Sequence, residues 1–126
     1  MCCAVHFQQN FKNWTSGNND IDKFIQDTQL SVHKNFEIYK VLEWILYNRF
    51  YDIKYIAKGE LYRAGWIDGN IVEWDDKNQN WKRKDQNMFV ILKGLNNPTN
   101  VTFEFMNEVQ YNNYYFMKVL KILIFY

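Results

Sequence analysis

The first clear hydrophobic pattern along the chain has the spacing of a helix. Ile21, Phe24 and Ile25 recur at intervals of three and four residues, with polar side chains between them. An Asn-Asp pair, of residue types that favour helix N-termini, stands just before Ile21. The pattern predicts a short helix over residues 20–30. In the dense apolar stretch 39–47, periodicity does not distinguish a helix from a strand. A helical or extended segment that leads into the following strand is expected there.

From residue 51 onward the pattern changes to alternation, which is typical of a strand with one buried face. One face is expected to carry Tyr51, Ile53, Tyr55 and Ala57, while Asp52, Lys54 and Lys58 are expected on the other face or at the end of the strand. Gly59 is expected to end this strand. Residues 61–66 resume an extended, aromatic-rich pattern that runs into Asp68-Gly69, a dipeptide typical of a tight hairpin turn. Antiparallel strands are therefore predicted.

The sheet is expected to continue beyond that turn. Residues 71–74 are predicted to extend it, and the polar residues 75–87 to form an exposed loop or hairpin. The short apolar run 88–92 is typical of a buried strand, which Lys93 is expected to end.

After a turn at residues 96–98 the pattern becomes helical again. Asn100 is suited to cap a helix that extends to residue 110. The apolar stretch 119–126 is expected to stand in for a further strand. Together these elements predict an α+β fold, with an antiparallel sheet over residues 51–95, one packed helix and a partly helical N-terminal extension.

Short motifs, in one order along the chain, resemble the small lobe of a protein kinase. Residues 55–59 (Tyr-Ile-Ala-Lys-Gly) and 61–64 (Leu-Tyr-Arg-Ala) resemble the first two kinase strands, which flank a glycine-rich loop. Residues 89–93 (Phe-Val-Ile-Leu-Lys) resemble the third strand with its nucleotide-contacting lysine. Residues 105–108 (Phe-Met-Asn-Glu) resemble the αC-type helix that carries the glutamate partner of this lysine. The resemblance implies the fold of a kinase small lobe.

Other phrases narrow the resemblance to one family. Residues 7–17, 41–45 (Val-Leu-Glu-Trp-Ile) and 66–69 (Trp-Ile-Asp-Gly) look like the linker and inserted hairpin of a tyrosine-kinase-like family greatly expanded in arbuscular mycorrhizal fungi. The resemblance implies two parts: an N-terminal extension or linker with a short helix over 1–47, and a truncated protein-kinase small lobe over 48–126.

The resemblance also implies a vestigial ATP site at Ala57, Gly59, Lys93 and Glu108. In kinases the lysine and glutamate form an ion pair that holds the lysine against the nucleotide phosphates. The glycine-rich loop is damaged here, because Gly59 is followed directly by Glu60 and the later family glycines are absent. Glu60 also places a negative charge where phosphates would lie. ATP is therefore expected to bind weakly or not at all.

Catalysis is not expected from this chain. Phosphoryl transfer in kinases needs an aspartate in a His-Arg-Asp loop and a metal-binding Asp-Phe-Gly. Both histidines, His6 and His33, precede the first kinase-like strand, and the one Asp-Gly pair, Asp68-Gly69, is interpreted as a turn. The chain is therefore expected to be noncatalytic, without a metal of its own.

Charge and cysteine content bear on partners and compartment. The chain has 15 Lys and Arg against 14 Asp and Glu, so its net charge of +1 gives no general field for nucleic acid or anionic lipid. Neither partner is expected, and the basic run 82–84 beside Trp81 is interpreted as a solvated loop. Cys2 and Cys3 are adjacent, which suits neither a disulfide nor a zinc site, and no secretory leader is recognised. A cytoplasmic protein is expected.

Three functional interpretations are open on the sequence alone. The first is a noncatalytic kinase-derived lobe with a vestigial ATP site. The second is a pseudokinase-like module that contacts another protein through the exposed lobe face or the αC-type helix. The third is the product of a degraded gene copy without a molecular function.

Overall fold

The computed structural model describes residues 3–33, 38, 41–57, 61–95 and 120–124, and their side chains except at 57, 93–95 and 120–124. The described helices are α1 (Cys3–Gln9) and α2 (Asn19–Leu30), with single 3-10 turns at Phe11–Asn13 and Tyr47–Arg49. The described strands are β1 (Phe50–Ala57), β2 (Leu61–Trp66), β3 (Asn70–Asp75), β4 (Asn80–Lys84), β5 (Met88–Leu95) and β6 (Leu120–Ile124). The α+β class predicted from the sequence is confirmed.

Two compact units share the chain, and the first is discontinuous in sequence. It comprises Met1–Ile45 and Asn70–Lys84, whereas the second comprises Leu46–Gly69 and Asp85–Tyr126. The hairpin of β3 and β4 thus groups with the N-terminal helices. The predicted division into 1–47 and 48–126 stays a prediction, and the compact units divide the chain differently.

The first unit has an apolar core that the N-terminal helix and the hairpin share. Its buried members are Cys3, Phe7, Val32, Ile38 and Ile71, with Phe11, Val41 and Trp81 packed against them. Burial of such side chains is the main favourable term in folding. The N-terminal segment is therefore part of a folded unit, although the sequence pattern predicts no helix before residue 20.

Helix α2 confirms the strongest helical prediction and corrects its cap. Ile21 and Ile25 are almost fully buried, as their spacing predicts. The N-cap is Asn18, whose side-chain oxygen accepts hydrogen bonds from the backbone N–H of Asp20 at 2.9 Å and of Ile21 at 3.1 Å. The helix begins at Asn19, so the Asn-Asp pair named from the sequence lies inside its first turn.

Removing this cap is expected to destabilise the first unit. The Asn18→Ala variant leaves two backbone N–H groups without their acceptor, which costs about 1 kcal/mol in the free energy of unfolding. Asn19→Ala is the matched control, because Asn19 lies one residue further on and does not cap the helix. Urea denaturation followed by circular dichroism measures both. A loss for Asn19→Ala equal to that for Asn18→Ala would contradict the cap assignment.

The second unit contains a four-stranded sheet in the order β1-β2-β5-β6. The first three strands pair antiparallel, as predicted, and β6 joins β5 in parallel. One face carries the buried side chains, which are Phe50, Ala64, Trp66, Val90 and Leu92. The strand expected near residues 119–126 is present as β6. Strand β5 extends past Lys93 to Leu95, so the prediction that Lys93 ends it is wrong.

Two predictions about the hairpins are wrong. Asp68-Gly69 does not join paired strands, because β3 pairs with β4 in a separate two-stranded sheet. Residues 71–74 therefore do not extend the larger sheet. The polar stretch that follows forms the turn of this hairpin and its second strand, so of the two alternatives predicted for 75–87 the hairpin is correct. The helix predicted over 100–110 lies outside the described residues.

Candidate functional site

Two of the predicted ATP-site positions lie in one row of the larger sheet. Ala57 at the end of β1 is opposite Leu61, the first residue of β2, and Leu61 is opposite Lys93 on β5. The row continues to Ile122 of β6. Gly59 and Glu108, the other two positions, lie outside the described residues. The backbone thus brings Ala57 and Lys93 to the end of the sheet where β1 connects to β2.

A bulge in β1 changes which side chains share a face. Tyr51 is opposite Gly65 and Lys54 is opposite Arg63, so two β1 residues stand opposite Ala64 alone. One of them, Asp52, has a left-handed backbone with φ of 52°. Positions directly opposite each other point to the same face, and alternate residues of a strand share a face. Tyr51 and Lys54 therefore lie on one face. A second register shift, between Tyr55 and Ala57, returns Ala57 to that face, so the continuous alternation predicted along β1 is wrong.

The same register places a second aromatic ring on that face. Phe89 of β5 is opposite Gly65, in the row of Tyr51, and Ile91 is opposite Arg63. Tyr51, Lys54, Arg63 and Phe89 are all exposed. We call these four residues the aromatic–basic face. Tyr55 is opposite Tyr62 and packs edge-to-face on it with ring centroids 5.7 Å apart, so it lies on the other face.

The side chains of the aromatic–basic face are held in defined positions. The Arg63 guanidinium carbon lies 4.0 Å from the centroid of the Phe89 ring, a cation–π contact. The Tyr51 ring lies over Gly65, where a Cβ atom would occupy the space of the ring. Its hydroxyl donates to the backbone carbonyl of Asn87 at 3.4 Å. Gly65 thus lets a flat ring cross strand β2.

An ion pair fixes the start of β1 beside the end of β2. The Arg49 guanidinium donates from Nε to Asp68 Oδ2 at 3.0 Å and from Nη2 to Oδ1 at 2.6 Å. The hydrogen bond to Asp68 and the negative charge of Asp68 raise the pKa of Arg49 above its ordinary value. The backbone N–H of Ile67 also donates to the Arg49 carbonyl at 3.0 Å. These bonds therefore hold β1 and β2 in register next to Tyr51.

The basic run at 82–84 belongs to a strand, and its interpretation as a solvated loop is wrong. It forms part of β4 in the first unit, where Trp81 stacks on Phe7 with ring centroids 4.4 Å apart. Arg83 donates to both carboxylate oxygens of Glu43, at 3.2 and 2.7 Å. Trp81 is thus engaged in packing, which removes the aromatic partner that a base-stacking role at this run requires.

A buried imidazole completes the aromatic cluster of the first unit. His6 stacks on Trp74 with centroids 3.9 Å apart, and it meets Trp81 edge-on at 6.1 Å. Its Nδ1 atom is buried without a hydrogen-bond partner among the described residues. The Cys3 side chain is also buried. No group of three or more metal-binding side chains occurs in the described part of the chain.

Comparison with known proteins gives no family assignment. No protein-family model, no curated protein and no solved structure matches the chain. Within the described ranges, no helix is both long enough and apolar enough to cross a membrane.

Proposed function

We propose that this chain is a noncatalytic, protein-kinase-like small lobe with a vestigial ATP site. The observation that carries the proposal is the register row of Ala57, Leu61 and Lys93 across three adjacent strands. In the kinase resemblance, the lysine of the third strand stands beside the glycine-rich connection of the first two. The row supports this arrangement, because it brings Lys93 next to the strand ends that residues 58–60 join.

The damage to the loop explains why the ATP site is called vestigial. A glycine-rich loop binds phosphate through backbone N–H groups that approach it closely. This chain has Gly59 followed by Glu60, whose negative charge opposes the binding of phosphate. It also contains neither a His-Arg-Asp nor an Asp-Phe-Gly sequence. These 126 residues are therefore expected to act by binding and not by phosphoryl transfer.

Restoring the loop tests the proposal. A variant in which residues 58–60 are replaced by a Gly-x-Gly-x-x-Gly sequence is expected to gain Mg-ATP binding, whereas the natural chain is not. A ligand at a concentration ten times its Kd adds about 1.4 kcal/mol to the free energy of unfolding, which raises Tm by roughly 5 °C in a domain of this size. Thermal unfolding with and without Mg-ATP measures the shift. The added substitution Lys93→Ala is expected to abolish it.

The matched control has a loop of the same length that contains alanine and serine in place of glycine. It should show no shift, because its backbone cannot approach the phosphates in the same way. A cooperative but unshifted transition for the glycine-rich variant would refute the kinase-like proposal. An upward shift for the natural chain would instead refute the claim that its ATP site is vestigial.

A further inference from the structure

The aromatic–basic face offers two flat surfaces at one level of the sheet. Tyr51 and Phe89 share a row with Gly65 between them, so their strands lie about 10 Å apart, twice the usual strand spacing. Tyr51 keeps 37% of its surface accessible and Phe89 keeps 61%. Exposed aromatic rings fixed on a rigid sheet are the groups on which unstacked bases pack.

The charge of this face is positive. Lys54 and Arg63 occupy one row, next to that of the two rings. No described carboxylate forms an ion pair with either of them. Asp52, at the bulge, is the acidic residue nearest in sequence among the described residues of β1. Two cations beside two rings complement a phosphate backbone whose bases turn toward the protein.

We infer that the aromatic–basic face binds single-stranded nucleic acid, with one base on Tyr51, one on Phe89, and phosphates beside Lys54 and Arg63. Tyrosine, phenylalanine and arginine also occur in protein interfaces, but lysine is depleted there, so Lys54 favours a phosphate ligand over a protein partner. The described aliphatic side chains on this side of β2 and β5 are Leu61 and Ile91, both half-buried. A duplex fits this face less well than a single strand, since its bases are stacked on one another and cannot reach the rings.

This inference goes beyond the proposed kinase-like function and differs from the expectation drawn from net charge. A charge of +1 describes the sum over the chain, whereas binding depends on the local arrangement of charges. The register of β1 on β2 creates that arrangement. The bulge is what brings Lys54 to the face of Tyr51.

Fluorescence anisotropy with labelled single strands of about twelve nucleotides tests the inference, using oligouridine RNA and oligothymidine DNA at low salt. The natural chain is expected to bind both, and a duplex of equal length more weakly. Phe89→Leu should weaken binding about tenfold, because the stacking surface is lost while an apolar side chain remains. Arg63→Gln should reduce the slope of log affinity against log salt by about 0.7.

Tyr55→Leu and Lys77→Gln are the matched controls. Tyr55 is 57% exposed but lies on the other face of the same sheet, and Lys77 is an exposed lysine in the turn between β3 and β4. Both variants should bind like the natural chain. Circular dichroism and Tm should remain unchanged in Phe89→Leu, because the ring is mostly exposed.

Three outcomes would overturn the inference: no binding by the natural chain, equal losses in Tyr55→Leu and Phe89→Leu, or binding of duplex as tight as that of single strands. If the chain binds the RNA strand but not the DNA strand, the stacking site is supported and the chain also recognises the 2′-hydroxyl group. The result is independent of the Mg-ATP experiment, since Phe89→Leu and Arg63→Gln leave Ala57, Gly59 and Lys93 in place.

Discussion

Replacing Leu92 by alanine is expected to lower the free energy of unfolding of the second unit by about 2–5 kcal/mol. Leu92 has no accessible surface and lies on β5, between β2 and β6. Truncation removes its packing contacts and leaves a cavity that the two neighbouring strands cannot fill. Small domains have a total stability of about 5–15 kcal/mol, so this variant approaches the threshold of unfolding. The midpoint of urea denaturation is the measurement.

Phe89→Ala is the control on the same strand. The ring is 61% exposed and its described partner is the Arg63 guanidinium, so the loss should stay within about 1 kcal/mol. Equal losses for the two variants would mean that β5 has no buried face. A large loss for Leu92→Ala alone also validates Phe89→Leu as a binding variant that keeps its fold.

The sequence predicts the elements whose signal is local and strong. Helix α2 carries apolar residues at helical spacing, and these side chains are buried as expected. Strand β2 and the start of β5 also lie where their apolar, aromatic-rich runs predict them. Helix α1 was missed, although Cys3 and Phe7 lie four residues apart and are both buried. That spacing is the signal that could have revealed it.

Strand pairing was harder to predict from the sequence, because it depends on contacts between residues that are far apart in the chain. Asp68-Gly69 has the chemistry of a hairpin turn, yet β3 finds its partner in β4. The stacking of His6 on Trp74 and of Phe7 on Trp81 favours that pairing by adding aromatic contacts with α1. No local sequence pattern indicates that α1, which lies some sixty residues earlier in the chain, packs on this hairpin.

The aromatic–basic face was missed for a related reason. Alternation assigns Tyr51 and Tyr55 to one face, and it puts Lys54 on the opposite side. Two register shifts in β1, one at Asp52 and one between Tyr55 and Ala57, interrupt this alternation, and the first of them brings Lys54 to the face of Tyr51. Asp at this position tolerates a left-handed backbone, which is a weak hint of a bulge. A prediction of faces from alternation therefore fails wherever the register shifts.

The two proposals concern one sheet but different residues. Leu61, Arg63 and Gly65 alternate along β2 and share a face, so the row of the proposed ATP site adjoins the proposed stacking surface. Lys93→Ala is expected to abolish nucleotide binding by the loop-restored variant. Phe89→Leu is expected to weaken the binding of single strands. Each substitution thus separates one proposal from the other.

Removing the charge of Glu43 is expected to destabilise the first unit by about 1–3 kcal/mol. The Glu43 and Arg83 side chains are only 19% and 24% exposed, and they form a two-pronged ion pair that joins the segment before β1 to strand β4. Glu43→Gln keeps the shape but removes the carboxylate charge that the largely buried Arg83 guanidinium contacts. Urea denaturation followed by tryptophan fluorescence measures the loss.

Glu73→Gln is the matched control for that ion pair. Glu73 and Lys82 lie 3.5 Å apart on the same hairpin, but their side chains are 43% and 56% exposed, so water screens their attraction. Exposed pairs contribute about 0–1 kcal/mol. The double variant Glu43→Gln with Arg83→Met should recover part of the loss, because it removes both charges together. If Glu43→Gln costs no more than Glu73→Gln, the Glu43–Arg83 pair does not stabilise the first unit beyond what an exposed ion pair contributes.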